Sequence, residues 1–477
     1  MNLRQSLLNM LLMLVATSNV DCASAVDADQ TGLSPYEANP AYWQYHGRPV
    51  MLIGGSDDDN LFQYAGLRDH LDAIKAAGGN YIRNTMSDRR NKGSEIYAFA
   101  QRPDGKYDLE QWNEAYWTRF ENLLRWTAER EIFVQIEVWD RFDFTDSNGH
   151  NFWQSHPLNP GNNINFSYQQ SGFARQYPDH PGANRQPFFF TTPEQRNNQI
   201  VLQYQQRFVD RMLDHSLQYG HVLYCMDNET NGEEKWGRYW ARRILDRAAR
   251  EAKSVYVTEM WDDWNLQGAQ HRNTLDHPEL YNFVDVSQNN HQKGQKHWDN
   301  FQWVRGYIAD PLRPINTVKT YGADGGAFGN SRDGVERWWR HLIGGAAAVR
   351  FHRPDAGLGL STEVVGSLKA AGKLLSLIKP WEVEPANEVL RNREPNEAYL
   401  AAAPGKAYEI YFPDSGSVGV DLTDDPYQVH WIRVSDGTMR PGVLLASERP
   451  VSIRTPGDGG WVAAIVRSQR HDGQNAQ

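Results

Sequence analysis

The stretch that decides the fold is HVLYCMDNETNGEEKWGRYW, residues 221–240. It opens with a short apolar run, 221–226, and ends in a charged segment with helical spacing. A short buried strand that leads into a helix is typical of a parallel βαβ unit. Glu229 stands at the switch between the two patterns. It is either a proton donor at the end of a strand or an acid that favours the start of the next helix through the helix dipole.

The same succession recurs along the chain. Apolar segments that precede helical stretches lie at 49–53, 81–85, 132–139, 221–226, 254–258, 283–287, 315–318 and 346–351. Eight strand-helix units predict an α/β fold of the (β/α)8 TIM-barrel type. A doubly wound open sheet is the alternative, but the glycines at 54–55 lack the spacing of a dinucleotide-binding fingerprint.

Several regions lie outside this repeat. Residues 1–25 have the charge, apolar stretch and small-residue cleavage site of a signal peptide, which predicts a secreted or periplasmic protein. The barrel would span 26–382 and carry a long irregular loop at 141–193, and loops of this length are usually binding loops or lids. Short strands and turns at 383–467 predict an antiparallel β-sandwich, and 468–477 a disordered tail.

The composition excludes some classes of partner. The net charge of −10 over 477 residues argues against nucleic acid and anionic membranes, because both favour basic surfaces. After the predicted signal peptide, no apolar run is long enough to span a bilayer. If Cys22 leaves with that peptide, Cys225 is the remaining cysteine and no intrachain disulfide can form.

Polar and aromatic residues follow nearly every predicted strand. They are Asp58, Arg83, Trp139, Asp140, Asn228, Glu229, Glu259, Trp261, His291, Lys319, Tyr321, Asp324 and His352. In a barrel of this type, active sites lie at the C-terminal ends of the strands. Acids placed at random on a surface would not be expected in register with the strand ends, so the pattern predicts a functional site there.

With these residues the chain resembles the clan A glycoside hydrolases, a (β/α)8 superfamily that includes cellulases and mannanases. The resemblance covers roughly 40–380 and rests on Asn228-Glu229 at the fourth strand, Arg83 in the second, and the aromatic and His pattern at strands six and eight. It implies a carbohydrate substrate, with Glu229 as general acid/base and Asn228 holding the sugar 2-hydroxyl. Residues 383–467 resemble the small β-sandwich, labelled collagen-binding, that follows some of these barrels.

Glycoside hydrolysis needs one carboxylic acid to protonate the leaving oxygen and a second carboxylate as nucleophile or base. The pKa of the donor has to be raised, and partial burial among aromatic side chains has that effect. Glu229 follows an apolar strand and precedes Trp236 and Trp240. We therefore expect such a setting for Glu229.

The second carboxylate departs from the superfamily pattern, which places a nucleophilic Glu at the end of strand seven. Here Lys319 falls at or near that position, and no Glu lies at 315–333. Asp324 is the nearest acid and our predicted partner; a shorter acid set further away would serve as base for a water and give inversion. Glu259, at the end of strand five, is the next candidate.

Lys319 has three possible roles. It could neutralise a carboxylate or sulfate of the glycan, lower the pKa of Asp324, or bridge a structural acid. Arg350, His352 and Arg353 add to a basic floor, and His291 either lines the sugar pocket or is structural. Glu137 could pair with Arg83 in a buried bridge, which we favour over a catalytic role for it.

The run GGSDDDNLF, 54–62, invites a metal interpretation, but consecutive acids do not alternate as the ligands of a calcium loop do. We expect no metal and no cofactor, with Asp58 or Asp59 capping a helix or binding substrate hydroxyls.

Three functions fit the sequence. The leading one is a secreted glycosidase that cleaves O-glycosidic bonds of a poly- or oligosaccharide with an atypical strand-seven partner. The alternatives are a carbohydrate-binding pseudoenzyme that lost the nucleophile and a lyase acting on uronates. The sugar, the linkage, endo or exo cleavage and the oligomeric state stay open at this point.

Overall fold

The structure is a computed structural model that describes residues 32–89, 92–183, 185–323, 325–446 and 449–468. The predicted signal peptide and the predicted tail beyond residue 468 lie outside the described residues. Asp324, the predicted catalytic partner, lies outside them as well.

The strands are, in chain order, β1 Leu33–Tyr36, β2 Asn39–Tyr45, β3 Arg48–Val50, β4 Leu52–Gly55, β5 Tyr81–Thr85, β6 Phe99–Gln101, β7 Tyr107–Trp112, β8 Phe133–Asp140, β9 Val222–Asn228, β10 Val257–Thr258, β11 Val284–Asp285, β12 Ile315–Thr320, β13 Ala348–Phe351, β14 Glu384–Pro385, β15 Leu390–Arg391, β16 Tyr399–Ala403, β17 Ala407–Phe412, β18 Ser417–Val420, β19 Tyr427–Arg433, β20 Val443–Leu444, β21 Val451–Arg454 and β22 Trp461–Arg467. The α-helices are α1 Leu67–Ala76, α2 Glu114–Glu129, α3 Phe152–Ser155, α4 Tyr168–Ser171, α5 Gln199–Ser216, α6 Glu234–Arg250, α7 Ala269–Leu275, α8 Gly294–Tyr307, α9 Ser331–Ile343 and α10 Thr362–Leu377. None of these helices is both long and apolar enough to cross a membrane.

Two parallel sheets form the barrel. Their strand orders are β10-β9-β8-β5 and β11-β12-β13-β4. At one seam the Asn80 amide donates to the Ile53 carbonyl at 2.8 Å, and at the other the Val257 amide donates to the Asn282 side chain at 2.7 Å. The predicted (β/α)8 barrel is confirmed, and each of the eight apolar segments contains or overlaps one barrel strand.

A small antiparallel sheet, β1-β2-β3, covers the end of the barrel opposite the strand termini that carry the site. Trp43 of β2 is fully buried, and its indole nitrogen donates to Asn316 near the start of β12 at 3.0 Å. The C-terminal ends of the barrel strands are therefore left as the open face.

The long loop between β8 and α5 is packed on itself. It contains α3 and α4 together with short 3-10 turns, and its aromatic side chains form a buried cluster. Phe144 and Phe188 stack with ring centroids 3.7 Å apart, and Trp139 lies 5.3 Å from Phe188. This loop forms a fixed wall beside the barrel mouth.

The C-terminal segment forms two antiparallel sheets, ordered β14-β16-β17-β22-β19-β20 and β15-β18-β21. The first strand begins at Glu384, one residue after the predicted start at 383. Trp339 of α9 stacks on Tyr411 of β17 at 5.6 Å, so the hydrophobic core continues from the barrel into the larger sheet.

Candidate active site

A cavity of about 290 Å³ opens at the C-terminal ends of the barrel strands. The predicted residues that line it are Arg83, Asn228, Glu229, His291, Lys319, Tyr321 and His352. Seven of the polar and aromatic residues predicted at the strand ends therefore lie together around one cavity.

Glu229 follows the last residue of β9 and projects into this cavity. Its φ is +55°, a left-handed conformation that costs a non-glycine residue about 1–2 kcal/mol and that tends to occur at functional sites. Its carboxylate oxygen Oε1 accepts hydrogen bonds from the Tyr321 hydroxyl at 2.9 Å and Gln288 at 3.0 Å, and pairs with the Lys319 ammonium at 2.7 Å. Oε2 lies 3.9 Å from an Arg141 nitrogen, longer than a hydrogen bond. The carboxylate is held firmly by one oxygen.

The ionisation of Glu229 differs from the expected one. Burial raises its pKa, but the charges of Lys319 and Arg141 outweigh burial and hold the pKa below its usual value. Burial lowers the pKa of Lys319 while Glu229 raises it. Lys319 also donates to the side-chain oxygen Oδ1 of Asn228, and its 2.7 Å contact with Glu229 favours the ionised pair. The raised pKa expected from an aromatic setting is not found, because Lys319 and Arg141 lie beside the carboxylate.

Arg83 organises the cavity floor. It donates to Glu137 at 2.5 Å and to the side-chain oxygen Oδ1 of Asn228 at 2.7 Å, and it pairs with Asp59 at 2.8 Å. The predicted Arg83–Glu137 bridge is confirmed. Burial raises the pKa of Glu137 to about 7, although Arg83 and Lys319 oppose that rise.

The side-chain oxygen Oδ1 of Asn228 is engaged in contacts with protein groups. That oxygen accepts from both Arg83 and Lys319, while the amide nitrogen donates to Asp140 at 2.9 Å. One hydrogen of the side-chain amide remains for a ligand, so Asn228 can hold the sugar 2-hydroxyl only as a hydrogen-bond donor.

The predicted basic floor is neutralised by Asp59. Arg353 lies 2.8 Å from Asp59, Arg350 3.2 Å and His352 3.7 Å. Burial raises the pKa of Asp59, but Arg83 and the groups from the end of β13 hold it well below its usual value. Asp59 is thus an ionised anchor.

Glu259, the next predicted candidate for the partner acid, does not line the cavity. Glu259 lies against α6: its Oε1 accepts from the backbone amides of Asp227 and Met260 at 3.0 Å, and an added methyl at Gly237 would meet Oε2 at 2.3 Å. Burial, and then repulsion by Asp227, raise the pKa of Glu259 well above its usual value. Glu259 is not brought to Glu229, which corrects its place as a candidate partner.

Two of the predicted aromatic ligands are packing residues. Trp139 is buried among aromatic rings and lies 5.1 Å from Trp240, and Trp261 is buried with its indole donating to Thr274 at 2.8 Å. Their side chains serve the core and do not line the cavity, because they point away from the barrel axis into the packed layer outside it.

Two predicted acids support the site from outside the cavity lining. Asp58 pairs with Lys92 and accepts from the backbone amides of Asp59 and Asn60, so it closes a turn; it is not the N-cap of the 3-10 helix that follows, which is Asn60. Asp140 accepts from Asn228 and pairs with Arg89 at 2.6 Å. Asp140 therefore orients Asn228 from behind.

Sequence reasoning missed three side chains that contact or face Glu229. Arg141 and Gln288 bind it, and Asp262 lines the cavity and pairs with Arg141 at 2.7 Å. Asp262 follows the fifth strand segment by four residues and carried the same positional signal as Glu259 and Trp261. Arg141 follows β8 directly, whereas Gln288 had no signal beyond its place after β11.

Among the residues that the structure describes, no group of three His, Cys, Asp or Glu side chains has the arrangement of a metal site.

The backbone matches solved glycoside hydrolases over nearly its whole length. A glycoside hydrolase family 5 structure from Bacteroides vulgatus ATCC 8482 superposes with a TM-score of 0.61 at 12% identity, covering 94% of this chain and 96% of that one. Another structure, described as a glycoside hydrolase, gives a TM-score of 0.59 at 11% identity, covering 92% and 97%. At such identities the likeness establishes the fold, and function has to be argued from the site. No protein-family model and no curated protein matches the chain.

Proposed function

We propose that the protein is a glycoside hydrolase that cleaves an O-glycosidic bond of an oligo- or polysaccharide in the cavity at the barrel mouth. The observation that carries this proposal is the carboxylate of Glu229, whose side chain is 14% exposed and fixed at a strand end inside a polar cavity. Glycoside hydrolysis passes through a state with positive charge on the sugar, and a carboxylate beside the anomeric carbon stabilises it.

The contacts of Glu229 suit a base or nucleophile better than a resting acid. Oε1 is occupied by Tyr321, Gln288 and Lys319, so Oε2 is the oxygen available to attack the sugar or activate a water. Lys319 keeps the carboxylate charged at neutral pH. Within this proposal Glu229 acts as the charged carboxylate, and the second acid of the pair protonates the leaving oxygen.

Asp262 is the described carboxylate best placed to complete a pair. One Arg141 nitrogen lies 2.7 Å from Asp262 and 3.9 Å from Glu229. The two carboxylate oxygens cannot be farther apart than the sum of these distances. That limit admits the retaining spacing of about 5–5.5 Å and reaches the lower end of the inverting spacing of about 6.5–9.5 Å. Asp324 stays a prediction as the other candidate.

A carbohydrate-binding protein without turnover is the second candidate, and the Lys319–Glu229 pair favours it. An ammonium group near the anomeric carbon repels the developing positive charge of the sugar. It is compatible with binding sugar hydroxyl groups.

Turnover on a panel of glycans separates the two candidates. Wild type, Glu229→Gln, Asp262→Asn and Asp324→Asn are assayed, with Glu259→Gln as the matched buried-acid control. If the protein is a hydrolase, wild type and the control turn over a glycan, and the turnover of Glu229→Gln is about 10²–10⁴-fold lower. Saccharide binding without turnover by wild type would identify a binding protein. Asp262→Asn and Asp324→Asn show which acid is the partner.

A further inference from the structure

Three consecutive strand ends on one side of the cavity are tied together by a ring of hydrogen bonds. Arg141 donates to the Gly182 carbonyl at 3.1 Å and to Asp262 at 2.7 Å. Asn231 donates to the same two acceptors at 2.6 and 2.8 Å. Arg141 follows β8, Asn231 lies beyond β9, Asp262 lies beyond β10, and Gly182 belongs to the long loop. We call these four residues the strap.

Arg141 of the strap is buried, the other three residues are half-buried, and the strap is supported from both sides. The Arg141 side chain is 3% exposed. Thr145 donates to the carbonyls of Tyr177 and Asp179 at 3.2 and 2.9 Å, which fixes the loop just before Gly182. On the barrel side, the Asp262 amide donates to the Thr230 carbonyl at 2.9 Å. The strap is part of the folded wall.

The wall that the strap holds faces the reacting groups. Phe142 and Asp262 line the cavity together with Glu229. The Phe142 ring packs between His180 of the loop, at 5.5 Å, and the Arg141 guanidinium, at 5.4 Å. A saccharide seated on Glu229 therefore meets a continuous barrier along the ends of β8, β9 and β10.

The size of the cavity agrees with this barrier. Its volume of about 290 Å³ lies just below the usual range for ligand sites, about 300–1,000 Å³. A cleft that runs through the mouth of a barrel would accept the interior of a long chain. A small cavity with one closed side accepts a chain end.

We infer that the strap makes the cavity a blind pocket for the end of a saccharide chain. The protein then removes terminal units and does not cut in the interior of the chain. This inference rests on the proposed hydrolysis for its products, but the shape of the pocket also governs binding, which can be measured separately.

The products of labelled oligosaccharides test the inference. The substrates are cello-, manno-, xylo- and galacturono-oligosaccharides of two to six units with a fluorophore at the reducing end. A blind pocket that takes the unlabelled end gives labelled products shortened one step at a time, and one that takes the other end releases the label on a single short fragment. A spread of labelled lengths from the first minutes would overturn the inference.

Opening the strap gives a sharper result. Asn231→Ala removes two of its four hydrogen bonds, and Asn231→Asp places a second carboxylate against Asp262. In either variant we expect internal cleavage products to rise several-fold. Gln176→Ala, at an exposed position of the same loop, is the matched control and should keep the wild-type products. Two folded variants with unchanged product patterns would contradict a role for the strap.

Binding keeps the inference testable if no oligosaccharide is cleaved. In that case the proposed hydrolysis fails, and titration calorimetry with the same oligosaccharides tests the pocket alone. An affinity that stops rising beyond two or three units, and rises further in Asn231→Ala, supports a blind pocket. An affinity that grows with every unit up to six would overturn it.

Discussion

At Glu229 two consequences of burial compete. Loss of water favours the neutral acid, while the low dielectric strengthens the attraction of Lys319 at 2.7 Å, and the attraction prevails. Glu229 therefore lies at the position that the resemblance implies, but its pKa is lowered where a raised pKa was expected. Lys319 bridges Glu229, the proposed reacting carboxylate, and not the structural acid considered as its partner.

Lys319→Met should raise the pKa of Glu229 towards or above its usual value, because burial then acts without its main opposing charge. Isotope-edited infrared or ¹³C spectra of the carboxyl group measure the titration. Lys319→Arg keeps a cation and is the control. An unchanged pKa in Lys319→Met would show that the pair does not set the ionisation.

The same pair affects stability in a defined direction. Since the folded-state pKa of Glu229 is lowered, its contribution is present above the unfolded pKa and is lost as the pH falls through the folded pKa. We expect Lys319→Met to lose less stability than wild type when the pH is lowered from 5 towards 2. Urea unfolding across that range measures it, and equal losses in both proteins would contradict the account.

The residues of the site were predicted from their register with the strand ends, which is a property of the chain alone. Their pairing was not, apart from the Arg83–Glu137 bridge. Arg141 and Glu229 are far apart in sequence, and Glu259 shares the strand-end signal of Asp262 but faces α6. A sequence pattern places a residue at a level of the barrel; side-chain direction follows from packing.

At the scale of elements, all eight barrel strands were predicted, with differences in their bounds. β5 coincides with its predicted segment, whereas β10 and β11 each have two residues, because hydrogen-bonded pairing stops where the strand ends bend into loops. The sheet β1-β2-β3 and the hairpin β6-β7 were not predicted as such, although the segment 49–53 overlaps β3 and residues 107–110 alternate apolar and polar side chains.

The long loop was predicted as a lid or binding loop, and its packing favours a fixed wall. Phe188→Ala should cost about 3–5 kcal/mol, because Phe188 is buried against Phe144 and Trp139. Phe190→Ala, at a partly exposed position of the loop, is the control and should cost less. Chemical denaturation measures both, and equal small losses would indicate a mobile loop.

Across the whole molecule, the barrel and the sandwich share one face. Tyr411 stacks on Trp339, and Arg332 of α9 pairs with Asp414 at 2.9 Å. Because side chains alternate along a strand, Glu409 lies on the Tyr411 side of β17, in this interface. An acid has been buried between the two parts.

Glu409 should make this interface lose stability as the pH rises from its unfolded pKa to about 8. Burial raises its pKa to about 8, so its favourable contribution is full below the unfolded pKa and is lost as the pH rises through 8. The loss is on the order of 1.4 kcal/mol for each pH unit between the two pKa values. Glu409→Gln should flatten the fall of Tm between pH 5 and 9, with the exposed Glu388→Gln as control. A fall as steep as in wild type would contradict this.

The account depends most on Glu229 acting as a charged carboxylate. The direct measurement is kcat/KM of Glu229→Ala on the substrate found by the glycan panel, with and without added formate. We predict a loss of about 10²–10⁴ without formate and a partial recovery that grows with formate concentration, because the missing group is an anion. Wild-type turnover by Glu229→Ala in the absence of formate would contradict the account.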